Sequence, residues 1–326
     1  MENSNIDKNL FYAGKRHKIV CAGDCYHVKN IKPENRLTYT SLQEALDDGC
    51  RPCKHCSGIH KTIKTDKRVV VQNQEPKFYD SKWDGCEVIK FGLMGDTQFG
   101  SKYTQISYLH DFYDLCKREG ITKVYHTGDI TDGLKMRNGH EYELYTVSAD
   151  EMLNDVVTYY PNIDGITTYF ITGNHDASIY KHIGYDIGNA IANRRPDMIY
   201  LGRDCSVVNL TPNCTLELRH PWDGTAYALS YKLQKMIEAM ESDSKPNILA
   251  VGHYHKAEYI FYRNVHALQT GCFQSQTPFT RGKGISVHMG GWIITIHVDK
   301  DGTIKRFMPE FIPFYKSITD DYKNYK

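Results

Sequence analysis

Four short segments of this sequence place an oxygen- or nitrogen-bearing side chain just beyond an apolar run, on a glycine turn. They are Gly95-Asp96-Thr97-Gln98 after residues 88–94, Gly128-Asp129-Ile130-Thr131-Asp132 after 121–126, Gly173-Asn174-His175-Asp176 after 167–171, and Gly252-His253-Tyr254-His255 after 247–251. A fifth apolar run, 215–218, ends close to His220. Packing does not explain strands that end this way, since an unpaired neutral polar group costs roughly 2–7 kcal/mol to bury. Carboxylate and amide oxygens with imidazole nitrogens form a mixed ligand set, suited to Mn, Fe, Zn or Mg rather than to soft metals. The apolar runs read as buried strands whose carboxyl ends deliver these groups to one edge of one sheet, where open α/β sheets bind ligands.

The elements between them follow from periodicity. Residues 101–118 read as a helix, with Ile106, Leu109, Phe112, Tyr113 and Cys116 at helical spacing and Gly120 ending it. Residues 148–160 read as a second, opened by a capping box of Ser148 and Glu151, and 227–240 as a third. The loop 133–145 follows a ligand strand and carries Lys135, Arg137, His140 and Glu141. Runs 292–298 and 304–311 alternate, as antiparallel strands completing a second sheet would. Isolated His126, His266, His288 and His297 read as structural.

In their order, these motifs resemble the calcineurin-like metallophosphoesterase superfamily: D-x-H, GDxxD, GNH(D/E), a lone His, then GHxH. The resemblance covers about residues 88–314. It implies an α/β fold, a two-sheet metallophosphoesterase sandwich flanked by helices, and a centre of two divalent metals, Mn foremost, with Mg, Fe or Zn as alternatives. By the same resemblance, one metal takes Asp96, Gln98, Asp129 and His255, and the other takes Asp129, Asn174, His220 and His253, with Asp129 bridging. His175 matches the residue that gives a proton to the leaving oxygen, and Asp132 or Asp176 would orient a neighbouring imidazole. Arg137 and His140 are substrate-contact candidates. Gln98 departs from the pattern, which has His there; its neutral oxygen predicts a weaker first site that favours Mn. Gly133 after GDxxD, and GNHD rather than GNHE, favour the nuclease and phosphodiesterase side over protein phosphatases.

Residues 1–60 have another character. Cys21 and Cys25 form a C-x3-C pair, and Cys53 and Cys56 a C-x2-C pair. Four thiolates from two knuckles make a closed tetrahedral zinc set, which a module this small needs in place of a large core. Ser41 and Glu44 read as the capping box of a short helix between the pairs. The unit resembles the metal-binding domain of Ada DNA methylphosphotriester repair proteins, through Phe11-Tyr12-Ala13, Cys21-x3-Cys25, Glu34-Asn35-Arg36 and the segment 49–56. Cys21 matches the methyl-accepting position, but a structural zinc module that docks DNA is the preferred reading. Cys50, His27 and His55 remain substitute ligands.

Composition sets the bounds. The chain has 326 residues, 40% hydrophobic, with a net charge of +1, so it is not a polyanion binder as a whole. Residues 61–87 read as a polar linker, and Arg51, Lys54, Lys61, Lys64, Lys67 and Arg68 give the region before and within it a basic excess. The expected organisation is therefore a zinc module at 1–60, a linker at 61–87 and a phosphoesterase domain at 88–326. No apolar run reaches the ~18 residues of a membrane span, and residues 1–10 have no signal-peptide core. A cytoplasmic protein is expected, whose ten Cys serve as thiols and ligands rather than disulfides. The expected activity is metal-dependent phosphodiester hydrolysis on nucleic acid, DNA above all. A nucleotide-level phosphoesterase and a non-catalytic DNA-binding scaffold are the rivals.

Overall fold

The computed structural model describes residues 6–7, 9–53 and 77–326, and the chain divides into two units, Met1–Glu75 and Pro76–Lys326. Among the described residues no helix is long and apolar enough to cross a membrane.

Among its described residues, the first unit is a four-stranded sheet of β1 (Phe11–Gly14), β2 (Ile19–Ala22), β3 (Arg36–Tyr39) and β4 (Arg51–Pro52), in the order β3-β1-β2-β4, with the α-helix α1 (Leu42–Asp47). Ser41 caps α1, its hydroxyl accepting from the Glu44 amide at 3.2 Å. Glu44 reaches one residue further back than a capping box requires and accepts from the Thr40 amide at 2.8 Å. The core is slight: Ala13, Val20, Tyr39, Ala45 and Cys50 in one cluster, Tyr12, Cys21, Val28 and Cys53 in another.

The second unit holds two six-stranded sheets. In the first, β6 (Val88–Met94), β7 (Lys123–His126), β8 (Thr167–Thr172) and β9 (Met198–Arg203) run parallel. The antiparallel pair β15 (Gly290–Val298) and β16 (Ile304–Pro313) extends that same sheet from β6. The tail strands thus do not complete the second sheet, contrary to expectation. That sheet comes from β5 (Lys77–Asp80), β10 (Cys205–Thr211), β11 (Cys214–Arg219), β12 (Ile248–Val251), β13 (Ala257–Tyr262) and β14 (Val265–Thr270), in the order β13-β14-β12-β11-β10-β5. β5 lies in the stretch expected to be linker, and its polar sequence fits an edge strand, where half the backbone groups face away from the ladder. Residues 61–76 of that stretch lie outside the described residues.

Strand alternation sorts side chains between layers. Phe91 and Leu93 of β6, Leu216 and Leu218 of β11 and Ala250 of β12 fill the space between the sheets. Met94 of β6, Val124 of β7 and Phe170 of β8 face the other way. They pack with α2 (Ile106–Arg118), α3 (Ala149–Tyr159), α4 (Asn174–Ile183) and α5 (Ile187–Arg194) through Leu109, Phe112, Met152, Val156, Ile179 and Ile191. On the far side of the second sheet, Leu233 and Ile237 of α6 (Leu229–Ala239) cover Leu249 and Val251. α2 starts at Ile106 rather than near residue 101, because Ser101 and Thr104 form bridges with Leu144 and Gln274. α3 is capped by Ser148, which accepts from the Glu151 amide at 3.3 Å, while the Glu151 carboxylate takes the Thr146 hydroxyl instead of closing a box.

Candidate metal centre

The carboxyl ends of β6, β7 and β8 meet those of β11 and β12, so the ligand candidates come from two sheets rather than one. Asp129 Oδ2 lies 3.1 Å from His220 Nε2. Asn174 Oδ1 lies 3.0 Å from the same nitrogen and 2.8 Å from His253 Nδ1. Asp96 Oδ1 lies 3.3 Å from His255 Nε2, and Gln98 Nε2 donates to Asp129 Oδ2 at 3.2 Å. Asp96, Gln98, Asp129 and His220 are buried.

Close approach explains the glycines. A Cβ at Gly173 would stand 2.3 Å from Asp129 Oδ1 and 2.6 Å from the His220 ring. Gly128 combines a φ of +99° with a Cβ position 2.7 Å from His220 Nδ1. The donors themselves sit in the left-handed region: Asp96 at φ +54°, Gln98 at +54°, Asp129 at +56°, His253 at +78° and His255 at +53°. Such backbone persists only where its surroundings over-determine it, and it gathers at functional sites.

The hydrogen bonds behind the imidazoles fix their tautomers. His220 Nδ1 donates to the Thr127 carbonyl at 2.8 Å, and His253 Nε2 to the Asp223 carbonyl at 2.6 Å. His220 Nε2 therefore faces two acceptors, Asp129 and Asn174, a contact that needs a positive charge between them, either a proton or a cation. In the proton's case burial opposes the charge, but Asp129 outweighs it and lifts His220 to about 9. His253 is pushed down to about 4 by burial and by His220. It is neutral, and its Nδ1 lone pair meets the Asn174 oxygen head on. A cation satisfies that contact, and ring nitrogens anchored by backbone carbonyls are the usual arrangement behind metal-binding histidines. Two buried atoms, Gln98 Oε1 and His255 Nδ1, have no hydrogen-bond partner. Burial would raise the Asp129 carboxyl, but His220 and His175 hold it well below the usual range. The residues present thus fit a divalent centre.

His175 opens α4 one residue after Asn174. Its amide donates to Asp129 Oδ1 at 2.8 Å. Its Nδ1 lies 2.9 Å from Asp132 Oδ1 and 2.7 Å from the Asp132 carbonyl. Asp132 is thus the carboxylate beside this imidazole. Asp176 instead clamps backbone, accepting from the amides of Gly173, Ile130 and Thr131 and from the Thr131 hydroxyl. Burial and the Asp129 charge raise Asp176 to about 6.

Asp129, Asp132, His175, His253 and His255 line a cleft together with Arg137, Phe279 and Lys283. Arg137, a substrate-contact candidate from its loop, reaches the cleft, whereas Phe279 and Lys283 came to it without a sequence signal. Arg137 pairs with Glu143 and lies over the Phe279 ring, 4.0 Å from its centroid. Phe279 belongs to α7 (Pro278–Gly282), an element with too little periodicity to foresee. The Thr127 and Asp223 anchors act through backbone carbonyls, which composition does not mark. His126, expected to be structural, is fully buried and accepts from the Gly128 amide at 3.1 Å, supporting the Asp129 turn from behind.

In the first unit, ligand atoms of Cys21, Cys25 and Cys53 lie within 4.8 Å of one another. His27 Nδ1 is 3.7 Å from Cys25 Sγ and 3.6 Å from Cys53 Sγ. Cys50 lies in the other cluster, its thiol 3.5 Å from the Tyr39 hydroxyl. Cys56 and His55 lie outside the described residues.

Comparison with known proteins gives two family matches, the metal-binding domain of Ada over residues 1–58 and calcineurin-like phosphoesterase over 89–266. A DNA polymerase II small subunit of Methanothermobacter thermautotrophicus is 28% identical over 189 residues, 47% of this chain and 39% of that protein. Its namesake in Methanocaldococcus jannaschii is 25% identical over 190 residues, 49% of this chain and 32% of that one. The matched region therefore spans well under half the length of these relatives. Among solved structures, an archaeal phosphodiesterase covers 69% of this chain and all of its own, at 12% identity and a TM-score of 0.39. Zinc-bound Vps29 of Entamoeba histolytica covers 69% of this chain and 99% of its own, at 13% identity and 0.32.

Proposed function

Since the chain belongs to the calcineurin-like phosphoesterase family, we propose that it is a metal-dependent phosphodiesterase that cuts nucleic acid, DNA by preference. The observation that carries this reading is the convergence of Asp129, Asn174, His220 and His253 on one buried point, with lone pairs facing one another. Asp129, Asn174, His220 and His253 would hold one divalent cation, and Asp96, His255, Gln98 and the shared Asp129 the other. Two such ions supply Lewis acidity at the phosphoryl group and make water a nucleophile at neutral pH. His175, with Nδ1 tied to Asp132, presents Nε2 as the ring nitrogen that gives a proton to the departing oxygen. Arg137 and Lys283, both lining the cleft, would meet flanking phosphates, Arg137 while also paired with Glu143. DNA is favoured by the Ada-like first unit and by relatives named as DNA polymerase subunits. In the first unit, Cys21, Cys25 and Cys53, with Cys56 from outside the described residues, would hold one structural zinc.

The same relatives favour a second reading, a DNA-associated subunit that binds without cutting. The purified full chain, assayed with Mn, Mg, Fe and Zn against a chromogenic diester, nucleotides, single- and double-stranded DNA and RNA, separates the two. Metal-dependent cleavage of DNA supports the first. Binding of DNA with no turnover under any metal supports the second, and turnover of nucleotides alone makes the chain a small-molecule enzyme.

A further inference from the structure

We propose that His140 is a positioning residue for His175 and acts through Asp132, an inference that rests on the phosphodiesterase reading. His140 comes from the loop after the Asp129 turn, on the short 3-10 turn His140–Glu143, yet it is wholly buried. Its Nδ1 accepts from the Met136 amide at 3.4 Å. The ring hydrogen of the neutral form therefore sits on Nε2, which points at Asp132 Oδ1 from 3.4 Å, long for a hydrogen bond. Nε2 is one of the few buried side-chain atoms with no hydrogen-bond partner. The His140 and His175 rings meet edge to face, with centroids 5.9 Å apart.

Asp132 is thus gripped from three sides. His175 and His140 address Oδ1, and Gln274 Nε2 donates to Oδ2 at 3.4 Å. A carboxylate held only by His175 and the long Gln274 contact keeps freedom to turn about its own side-chain torsions and to carry the imidazole with it. His140 removes that freedom, and a longer-range tie removes its own: Glu143 on the same turn pairs with Arg137 and accepts from the Phe279 amide at 3.0 Å. The loop is pinned to α7, His140 to the loop, Asp132 to His140, and the proton donor to Asp132. Groups that orient functional side chains from behind usually change activity by roughly 10–100-fold.

The test uses the full chain loaded with Mn and two diesters: a dinucleotide, whose alkoxide must leave with a proton, and bis(p-nitrophenyl) phosphate, whose nitrophenolate leaves without one. His140→Ala should lower kcat on the dinucleotide roughly 10–100-fold, with KM, metal content and turnover of the nitrophenyl diester unchanged. His140→Gln, which keeps a donor, should recover part of the loss. Equal losses on both substrates, or none, overturn the proposal. Loss of a metal equivalent overturns it as well and makes Asp132, His140 and His175 a ligand set, since their ligand atoms lie within 4.8 Å of one another. Should the parent hydrolyse neither diester, the functional reading falls, and ring-proton NMR still decides the positioning. A hydrogen-bonded His175 Nδ1 proton that broadens in His140→Gln or His140→Ala supports it, and unchanged spectra overturn it.

Discussion

The two units set metal-ligating residues against very different amounts of core. In the first, the Cys21, Cys25 and Cys53 thiols stand among a handful of buried side chains, and Cys21 and Cys53 are themselves part of one cluster. In the second, Asp129, Asn174, His220 and His253 sit at the rim of a sandwich whose inter-sheet and helix-facing cores close without them. On the proposed assignment the small unit, with only two slight clusters among its described residues, would lose much of what it folds around if its metal left, whereas the large one would assemble its ligands on a scaffold that already stands. In the one the proposed ion would be part of the fold, and in the other the fold would be the precondition for the ion.

The largest expected effect tests the first half. Cys53→Ser should unfold the first unit, because structural zinc supplies about 10–16 kcal/mol of apparent binding free energy to small modules. Residue-resolved amide exchange should show protection lost in residues 9–53 and kept in 77–326. Protection retained in both units would break the contrast.

Next comes Asp129→Asn, which removes the charge between two cations. Activity should fall to background and bound metal should drop, while the thermal midpoint of the second unit stays within a few degrees of the parent. A collapse of that midpoint would mean the centre is as structural as the thiol cluster. Gln98→His is subtler. An imidazole nitrogen binds Zn or Mn better than an amide, so metal titration should show the weaker of the two sites tightening, roughly tenfold. Equal affinities, or a weaker His variant, would mean that Gln98 serves only as the donor to Asp129.

The smallest effect concerns protons. Burial holds His126 down to about 4 from an ordinary value near 6.5. Its folded pKa lies below its unfolded one, so the neutral ring stabilises the second unit above pH 6.5. That contribution drains away as pH falls from 6.5 through 4. Urea midpoints at pH 7 and pH 4.5 should differ less in His126→Gln than in the parent. Parallel acid sensitivity in the two would remove His126 from the account.

How far the sequence foretold this architecture depends on what each feature is made of. The strands β6, β7, β8 and β12 were legible because apolar runs stop at glycine turns, and β11 because its run stops close to His220. The donors beyond them were legible because carboxylates, amides and imidazoles rarely end such runs for packing's sake. Helix α4 escaped notice, since its first turn, Asn174 to Asp176, is spent on polar contacts. β13 escaped because an edge strand alternates weakly, and β14, flanked by β13 and β12, because His266, Gln269 and Thr270 break its apolar run. The assignment of the tail strands failed for a deeper reason. Alternation in 292–298 reveals a strand, but which sheet it joins is decided by pairing Trp292 against Leu93, a contact across about two hundred residues that no local pattern encodes. The role of Asp132 as the partner of His175, rather than Asp176, likewise follows only from where the α4 turn places each carboxylate.

The left-handed backbone at Asp96, Gln98, Asp129, His253 and His255 bears on whether such a domain could have become an idle carrier. Each of these residues spends roughly 1–2 kcal/mol on a conformation that glycine adopts freely. Exchanging any of them for glycine should therefore relieve the backbone while erasing a donor. A lineage selected only to dock against other molecules recovers that backbone cost with such an exchange, offset at Asp96 and Asp129 by the hydrogen bonds their carboxylates accept. All five positions in this chain keep side chains with metal-binding oxygens or nitrogens. The backbone cost runs against them, and it is the contacts their side chains make at the centre that set against it.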